Sequence, residues 1–383
     1  MRNNILSKYF KYLLVIVVVL LFPLIASGCW DSKDINEKLI VTAIAFDINE
    51  DEIIYYIELA EINKTQGNMG AGQAKFTSIK AHGKTLAEAK KNLDEKLNKP
   101  IYFSGVRAVI FTENFANQYL VEYLYRFRAD ENYRKKIQTV ITTDDPETMF
   151  TTIQEKEASV GFAVDGLIES LDESGKSFSR TTMRLIENIS SDYTGILMSC
   201  VGLKEKEIAL TGYSVIDNNK ITGFIPVEES KAVVFLKADK PKLTYTVPYN
   251  GINLTIQVEL KKRKITASYK DGQIGFDLKC DFDAEVLYGD LKTPYNFEDT
   301  ANKEVTEILK DMLIKELYDA IERGLVEYKC DYFQFDDEFR IRYPAEFENM
   351  DWKSEFPKSM ITINVSVDLS TTHVMDYGAV DVK

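Results

Sequence analysis

The first 29 residues constrain this chain more than any other part of its sequence. A start that holds Arg2, Lys8 and Lys11 and no acidic residue leads into residues 12–25, which are almost entirely apolar, and small residues fill positions 26–28. This order of basic, apolar and small segments is typical of a secretory signal peptide. The apolar run is shorter than the ~20 residues that a membrane-spanning helix needs. The sequence therefore predicts that the rest of the chain is exported.

The signal ends on Gly28-Cys29, which resembles the processing site of bacterial lipoproteins, although Ala26 stands where such sites most often carry Leu. At such a site the Cys sulfur receives a diacylglyceryl group before the chain is cut in front of it. Two acyl chains, such as palmitate, hold a protein stably on a membrane, whereas one chain gives only marginal binding. We predict a lipoprotein signal peptide over residues 1–28, cleavage between Gly28 and Cys29, and Cys29 as the lipid anchor. The alternatives are an ordinary signal peptide or an uncleaved anchor, in which Cys29 has no such role.

The charge of the exported part excludes one class of partner. The full chain has a formal net charge of −13, and cleavage before Cys29 removes three positive and no negative side chains, which leaves −16. A nucleic-acid binder gains affinity by neutralising phosphates with Lys and Arg, so we expect no nucleic-acid partner. Anionic lipid headgroups repel an acidic body, so we expect the body of this protein to be held off the membrane surface.

Residues 29–203 are predicted to form an N-terminal domain of mixed α/β structure, in which helices cover a sheet. The sequence Thr85-Leu-Ala-Glu88 is a capping box and starts a helix there. Residues 146–191 look helical and rich in loops, and they form either a subdomain or a connection. Predicted strands cover residues 38–47, 52–61, 75–81, 101–111 and 137–142, and predicted helices cover residues 85–98 and 113–128.

Residues 204–383 are predicted to form a C-terminal domain with half-buried strands. Apolar and polar residues alternate over residues 253–260, 274–282 and 361–369, which places one face of each strand on a core. The longest predicted helix, about 297–328, has a continuous apolar stripe. We therefore predict an α+β, multi-domain fold with mixed sheets, whose C-terminal domain is an antiparallel-rich sheet packed on that helix.

Catalytic and metal-binding patterns are few. His82 and His373 are the only His residues and have no Cys or acid at ligand spacing, so we predict no metal site and no cofactor. Gly83-Lys84-Thr85 resembles the end of a phosphate-binding loop, but Ser78 replaces the first Gly of that pattern, which favours Thr85 as a helix cap. Paired acids such as Asp336-Asp337-Glu338 act as acid and base only where they converge in a cleft, and we expect them to be solvated.

Three Cys residues and a basic run have open interpretations. Cys280 lies on an apolar strand face, which predicts a buried thiol, whereas Cys200 and Cys330 could pair with each other or with Cys280 in an oxidising compartment. The run Lys261-Lys-Arg-Lys264 follows a predicted strand. It either contacts anionic lipid or, as we favour, prevents pairing at a strand edge.

The start of the exported region resembles a known family. Cys29-Trp30-Asp31 and the apolar strand that ends at Asp47 are similar to the opening of the Ger(x)C (GerAC-like) spore germination lipoproteins. The chain departs from that family over residues 330–338, which lack a Gly-rich Asp-x-x-Gly-x-Gly run, and after Leu369, where the usual Arg-rich ending is missing. Further similar segments are residues 83–89, 102–111, 113, 210–215 and 220–223, Trp352 and Pro357.

The resemblance implies a non-enzymatic C subunit of a nutrient germinant receptor. It implies attachment through Cys29 to the outer face of the spore inner membrane, together with A-type and B-type integral-membrane subunits. The resemblance also implies several mixed α+β domains and a requirement for this subunit in the response to nutrients. One alternative is a solute-binding lipoprotein of a transporter, which the half-exposed strands after residue 250 fit poorly. A second is an exported hydrolase, which needs a deep pocket with two convergent acids of raised pKa.

Overall fold

A computed structural model describes residues 37–62, 74–129, 133, 136–178, 182, 185–186, 195–288 and 299–370. The predicted signal peptide, Cys29 and His373 lie outside the described residues. Two mixed sheets with packed helices make up the described part, which confirms the predicted α+β class.

The first sheet has nine strands, in the order β3-β2-β1-β5-β6-β7-β8-β9, with β4 beside β1. Strands β1 to β5, β5 to β6 and β6 to β7 pair in parallel, and the hairpins at both ends of the sheet are antiparallel. The strands are β1 (Leu39–Asn49), β2 (Glu52–Ile62), β3 (Ala74–Gly83), β4 (Ile101–Tyr102), β5 (Ala108–Thr112), β6 (Gln138–Thr142), β7 (Ile196–Lys204), β8 (Glu207–Asp217) and β9 (Lys220–Pro226).

Helices cover both faces of this sheet. Helices α1 (Leu86–Asp94) and α2 (Glu113–Ala129) pack on one face, and α3 (Pro146–Gln154) and α4 (Val160–Glu173) pack on the other. Side chains of β1 therefore alternate between two cores. Because both faces are covered, β1 reads as a continuous apolar run rather than an alternating one.

The predicted strand over residues 101–111 is wrong in its middle, where the chain leaves the sheet. Strand β1 pairs with β4 at Ile40 and Tyr102 and with β5 at Ala43 and Ala108. More residues separate Tyr102 from Ala108 than separate Ile40 from Ala43, and the extra residues form a 3₁₀ turn at Phe103–Gly105.

The capping box is confirmed, since Thr85 Oγ1 accepts a hydrogen bond from the Glu88 N–H at 3.1 Å. Helix α1 ends at Asp94, before the predicted end at 98.

The second sheet has the order β10-β11-β12-β13, with two antiparallel pairs followed by a parallel one. The long helix α6 (Asp299–Glu322), extended by a π-helical turn at Arg323–Glu327, packs its fully buried Leu309 and Leu313 on this sheet, as predicted. The strands are β10 (Lys242–Tyr249), β11 (Ile252–Lys270), β12 (Gln273–Tyr288) and β13 (Met360–Ser370), and the other helices are α5 (Lys231–Lys237), α7 (Phe335–Arg342), α8 (Pro344–Glu348) and α9 (Trp352–Glu355).

The two sheets divide the chain after β9. Strands β8 and β9 follow the predicted boundary at 203/204 and yet belong to the first sheet, whereas the second sheet begins at Lys242. The division into domains at 28, 203 and 383 stays a prediction.

A buried carboxylate joins the first sheet to α4. Glu58, on β2, is completely buried. It accepts hydrogen bonds from Thr42 Oγ1 and Ser159 Oγ, both at 2.6 Å, and from the N–H groups of Val160 (2.8 Å) and Gly161 (3.2 Å). The N–H groups and the dipole at a helix N-terminus favour a negative charge there. Glu58 therefore satisfies the first turn of α4 and fixes that helix on the sheet.

We expect Glu58→Ala to lower the free energy of unfolding by about 3 kcal/mol or more, because several buried donors lose their acceptor. Glu61→Ala, at an exposed position of the same strand, is the control and should stay within about 0.5 kcal/mol of the parent. Urea unfolding followed by circular dichroism measures both. Equal effects of the two variants would contradict this role for Glu58.

Candidate functional site

Three of the segments that resemble the family, residues 210–215, residues 220–223 and Trp352, lie where the first sheet meets the chain between β12 and β13. We call this contact the junction: the hairpin of β8 and β9 against residues 323–331 and 352–353. Lys353 Nζ lies 3.0 Å from Asp217 Oδ1 and 2.6 Å from Asn218 Oδ1. The residues Asn218-Asn219, between the apolar runs 208–216 and 220–225, predict a two-residue hairpin turn, and that turn is present, with φ values of 48° and 66° that suit type I′.

Two Gly residues in these segments allow close approach, Gly223 across the junction and Gly212 between the two strands of the hairpin. A Cβ at Gly223 would lie 2.3 Å from the Tyr328 ring, and one at Gly212 would lie 2.2 Å from the Ile225 carbonyl oxygen. The Tyr328 hydroxyl also donates to the Phe224 carbonyl at 3.3 Å. Larger side chains at either Gly would separate these surfaces.

Tyr213 fixes β8 of the first sheet to the segment that follows α4. It is fully buried, and its ring stacks on Phe178 at 4.6 Å. Its hydroxyl shares a hydrogen bond of 2.7 Å with Ser177 Oγ. Burial raises the pKa of Tyr213 to about 12, so the hydroxyl stays protonated. Nearby, the Lys242 N–H donates to the Gly175 carbonyl at 2.9 Å, which joins the end of α4 to β10.

Two buried acids lie behind the junction. Asp331 accepts the N–H groups of Phe335 (3.0 Å) and Asp336 (2.8 Å) and the Trp352 indole N–H (3.3 Å), so it caps α7 and holds Trp352. Burial raises the pKa of Asp331 to about 6. The Asp331 carbonyl also accepts the Gly195 N–H at 3.2 Å, which connects this cap to the first sheet.

The expectation that Asp336 is solvated is wrong. Asp336 is 2% exposed because α7 places it beside the buried side chains of Phe335 and Phe339. Burial first, and then the negative charge of Asp331, raise the pKa of Asp336 to about 7. Its Oδ1 has no hydrogen-bond partner among the described residues.

A cavity of about 300 Å³ opens beside the junction, between the turn Val227–Glu229, α5 and α6. Several of its charged groups already have partners within the chain. Arg323 pairs with Glu229, and Glu316 accepts the Tyr245 hydroxyl at 2.6 Å. Lys231 Nζ lies 4.1 Å from the centre of the Tyr245 ring. The cavity is lined by the acids Glu228, Glu229, Glu316 and Asp319, whereas Asp331 and Asp336, whose pKa burial raises, do not line it.

The three thiols of the described part are buried and unpaired, so none of the considered disulfides is present there. Burial raises the pKa of Cys200 and of Cys280 to about 12 and raises that of Cys330 as well. Cys200 Sγ lies 2.9 Å from Ser214 Oγ. Thiols of raised pKa react slowly, because the thiolate is the nucleophile.

The basic run at 261–264 lies inside β11 and not after a strand as predicted. Strand β10 pairs with β11 only as far as Glu259, so the run begins where that neighbour ends. Lys261 Nζ pairs with Glu259 at 3.0 Å and Asp283 at 3.2 Å, and Arg263 donates to the Phe235 carbonyl at 2.6 Å. This position fits the favoured interpretation, in which the run prevents pairing at an edge.

Other predicted sites have ordinary surroundings. His82 is exposed, with Nδ1 at 3.6 Å from Glu52 Oε2, and it ends β3 instead of lying in a turn. The described residues contain no group of His, Cys, Asp or Glu that could hold a metal ion. Among the helices of the described part, none combines the length and the apolar character needed to cross a membrane.

Comparison with known proteins identifies the family. Residues 31–202 match the model of the spore germination protein N-terminal domain, and residues 211–373 match that of the spore germination B3/GerAC-like C-terminal domain. The chain belongs to the GerAC-like family of spore germination proteins. The family match covers the junction from both sides.

Relatives and one solved structure agree with this assignment. Spore germination protein B3 of Bacillus subtilis (strain 168) is 20% identical over 91% of this chain and 95% of its own length. Spore germination protein KC of the same organism is 22% identical over 90% of this chain and 91% of its own. The crystal structure of the GerBC protein matches with a TM-score of 0.54 and 16% identity, over 85% of this chain and 96% of that one. At that identity the likeness to GerBC shows the fold.

Asp336 should make the stability of the chain depend on pH. Because its pKa is higher in the folded chain than in the unfolded one, the folded state holds a proton that the unfolded state releases between about pH 4 and 7. Its contribution to stability is complete below about pH 4 and is lost as the pH rises through about 7. We therefore compare the free energy of unfolding of Asp336→Asn with that of the parent at two pH values. We expect the difference, variant minus parent, to be more positive at about pH 8 than at about pH 4.5, by on the order of 2 kcal/mol.

The control for that experiment is Glu338→Gln, which changes an exposed acid on the same helix. Chemical unfolding at both pH values measures the difference. If Asp336→Asn and Glu338→Gln have the same pH dependence, the protonation of buried Asp336 is ruled out.

The three thiols of the described part should react only after unfolding. We expect no reaction of Cys200, Cys280 and Cys330 with a thiol reagent such as Ellman's reagent in the native state, and reaction of all three in denaturant without prior reduction. Peptide mass mapping after alkylation assigns each thiol. A thiol that reacts in denaturant only after reduction would show a disulfide and contradict the structure.

Proposed function

We propose that this chain is the lipid-anchored, non-enzymatic C subunit of a nutrient germinant receptor, required for the response of spores to nutrients. The observation that carries this proposal is that the family match to the N-terminal domain begins at residue 31, two residues after Cys29, and that the match to the C-terminal domain follows over residues 211–373. A family body that starts two residues after a lipidation site supports a protein held close to a membrane.

The proposed location is the outer face of the spore inner membrane, with the acyl chains on Cys29 as the attachment. The proposed partners are the A-type and B-type integral-membrane subunits, and no nucleic acid. The net charge of −13 supports the last point, because the body of the protein would be repelled by phosphates.

A role through contact, without catalysis, is supported by how the acids of the described part are used. Glu58 and Asp331 are committed to the first turns of α4 and α7, and Glu316 and Glu229 are paired beside the cavity. These groups stabilise the fold and are not presented together to a substrate. The same pairing gives no support to the alternative, a solute-binding lipoprotein of a transporter, because Glu229, Glu316 and Arg323 of the cavity are already paired within the chain.

The anchor is tested with Cys29→Ala in the full-length protein. We expect the variant to leave the membrane fraction, because it lacks the sulfur that receives the lipid, while the total amount in the extract shows whether it is degraded. Ser27→Ala, which keeps the small residue and Cys29, is the matched control and should stay on the membrane. Mass analysis of the parent should find acylated Cys29 at the N-terminus. An unmodified N-terminus at another residue would contradict the proposed lipid anchor.

The receptor role is tested separately in spores. Deletion of the gene should reduce germination in response to at least one nutrient, and the parent gene should restore that response. An unchanged response to every nutrient, in a strain with no second gene of this family, would contradict the role.

A further inference from the structure

Strand β13 forms one edge of the second sheet. Within the described residues it pairs with β12 on one side and with no strand on the other. An edge strand presents a row of N–H and C=O groups that can pair with another chain, and most proteins protect such edges with Lys, Pro, Gly or short length.

The other edges of the described part have these protections, and β13 does not. Strand β13 reads Met-Ile-Thr-Ile-Asn-Val-Ser-Val-Asp-Leu-Ser, with Asp368 as its single charge and no Pro or Gly. Its residues have high β propensity over the full length of the strand. Protective residues elsewhere are Lys75 and Lys80 on β3, Lys220, Gly223 and Pro226 on β9, Lys242 and Pro248 on β10, and the basic run of β11.

The core is also incomplete along β13. Ile361, Ile363 and Val367 are half-buried, although they lie on the same face as β12 residues that are at most 2% exposed. Burial falls at this strand because no further strand of the described part continues the sheet. Another strand beside β13 would bury more apolar surface and satisfy the free backbone groups.

The sequence of β13 is complementary to itself in one orientation. In an antiparallel pair centred on Val365, Ile363 lies opposite Val367 of the second copy, and Asn364 lies opposite Ser366 of the second copy. Every apolar residue from Ile361 to Leu369 then faces an apolar one, Asp368 faces Thr362, and Met360 faces Ser370 at the ends of the pair. A parallel pair in register would place Asp368 beside Asp368 of the other copy, and like charges at opposite positions destabilise a sheet.

We propose that β13 is a dimerisation edge, at which two copies of this chain pair antiparallel about a two-fold axis centred on Val365. The pair continues the four-stranded sheet of one copy into that of the other, as a single sheet of eight strands. The contact is isologous, so it closes at two copies and does not grow into a fibre.

The register is tested with variants of the full-length mature chain, in detergent, that each carry one added Cys. Opposite residues of an antiparallel pair have Cα atoms about 4.5–5.5 Å apart, which lies within the range of a disulfide. We expect an equimolar mixture of Asn364→Cys and Ser366→Cys chains to form a disulfide-linked dimer on mild oxidation, at least tenfold more than either variant alone. Both positions are exposed, whereas Cys200, Cys280 and Cys330 are buried and unavailable.

A charge variant tests the oligomeric state without a crosslink. The double variant Asn364→Lys with Ser366→Lys places Lys opposite Lys at two positions of the proposed pair. We expect the parent to have the mass of a dimer by light scattering and this variant that of a monomer. The control, Thr244→Lys with Thr246→Lys, adds the same charges to exposed positions of β10 and should remain a dimer.

Three results would overturn the proposal. The first is a parent chain that has the mass of a monomer at tens of micromolar concentration. The second is a chain stopped after Ser370 that dimerises when the parent does not, since residues 371–383 would then cover the edge. The third is crosslinking of each Cys variant with itself as efficiently as with the other. Unchanged unfolding midpoints of the Lys variants exclude misfolding as the cause of a lower mass.

Discussion

The two sheets share one hydrophobic core, and the rest of the structure depends on that sharing. Leu197, Tyr213, Val215 and Ile225 of the first sheet belong to the same buried cluster as the inner face of the second sheet and α6. The order of the segments explains how this arises, because the chain leaves the first sheet at β9, crosses α5 and enters β10 directly. Separation of the sheets would expose both of their faces at once, so each sheet stabilises the other.

Buried acids hold helices in this acidic protein, and they do so in two ways. Glu58 accepts hydrogen bonds from two hydroxyl groups and two backbone N–H groups, and these donors compensate the burial of its carboxylate. Asp331 also caps a helix, but it lies beside the buried Asp336, and two such acids disfavour each other's ionisation. The first arrangement joins a helix to a sheet, while the second leaves a proton stored in the core behind the junction.

Local signals in the sequence predicted local structure well. The sequence did not predict the contacts between distant segments. The cap at Thr85, the Asn218-Asn219 turn and the apolar stripe of α6 depend on neighbouring residues only. The 3₁₀ turn at Phe103–Gly105 depends on how β1 pairs with two strands, and the burial of Asp336 depends on aromatic neighbours from other elements. The resemblance to the family could be read from spaced segments, but only the structure shows that residues 210–215, residues 220–223 and Trp352 lie together at the junction.

The departure from the family at residues 330–338 has a physical consequence. Gln334, three residues after Asp331, has φ at 67°, a left-handed conformation that costs a residue with a side chain about 1 kcal/mol and that Gly adopts freely. A Gly-rich run, the family feature that this chain lacks here, would take that turn without the cost. The side chain of Gln334 also makes a stabilising contact. Its Oε1 accepts a hydrogen bond from Lys237 Nζ at 2.7 Å and so links the start of α7 to α5.

The same segment connects the junction to the free edge of the second sheet. Because β12 and β13 are parallel, the chain must cross from one end of the sheet to the other between them, and this crossover holds α6, the acids and Trp352. Trp352 contacts Asp331 at the junction and packs edge-on against Phe276 of β12, whose pairing partner is Ile361 of β13. Only the turn Phe356–Lys358 and Ser359 separate α9 from β13. Trp352, Phe276 and Ile361 therefore belong to one continuous packed cluster that runs from the junction to the edge strand.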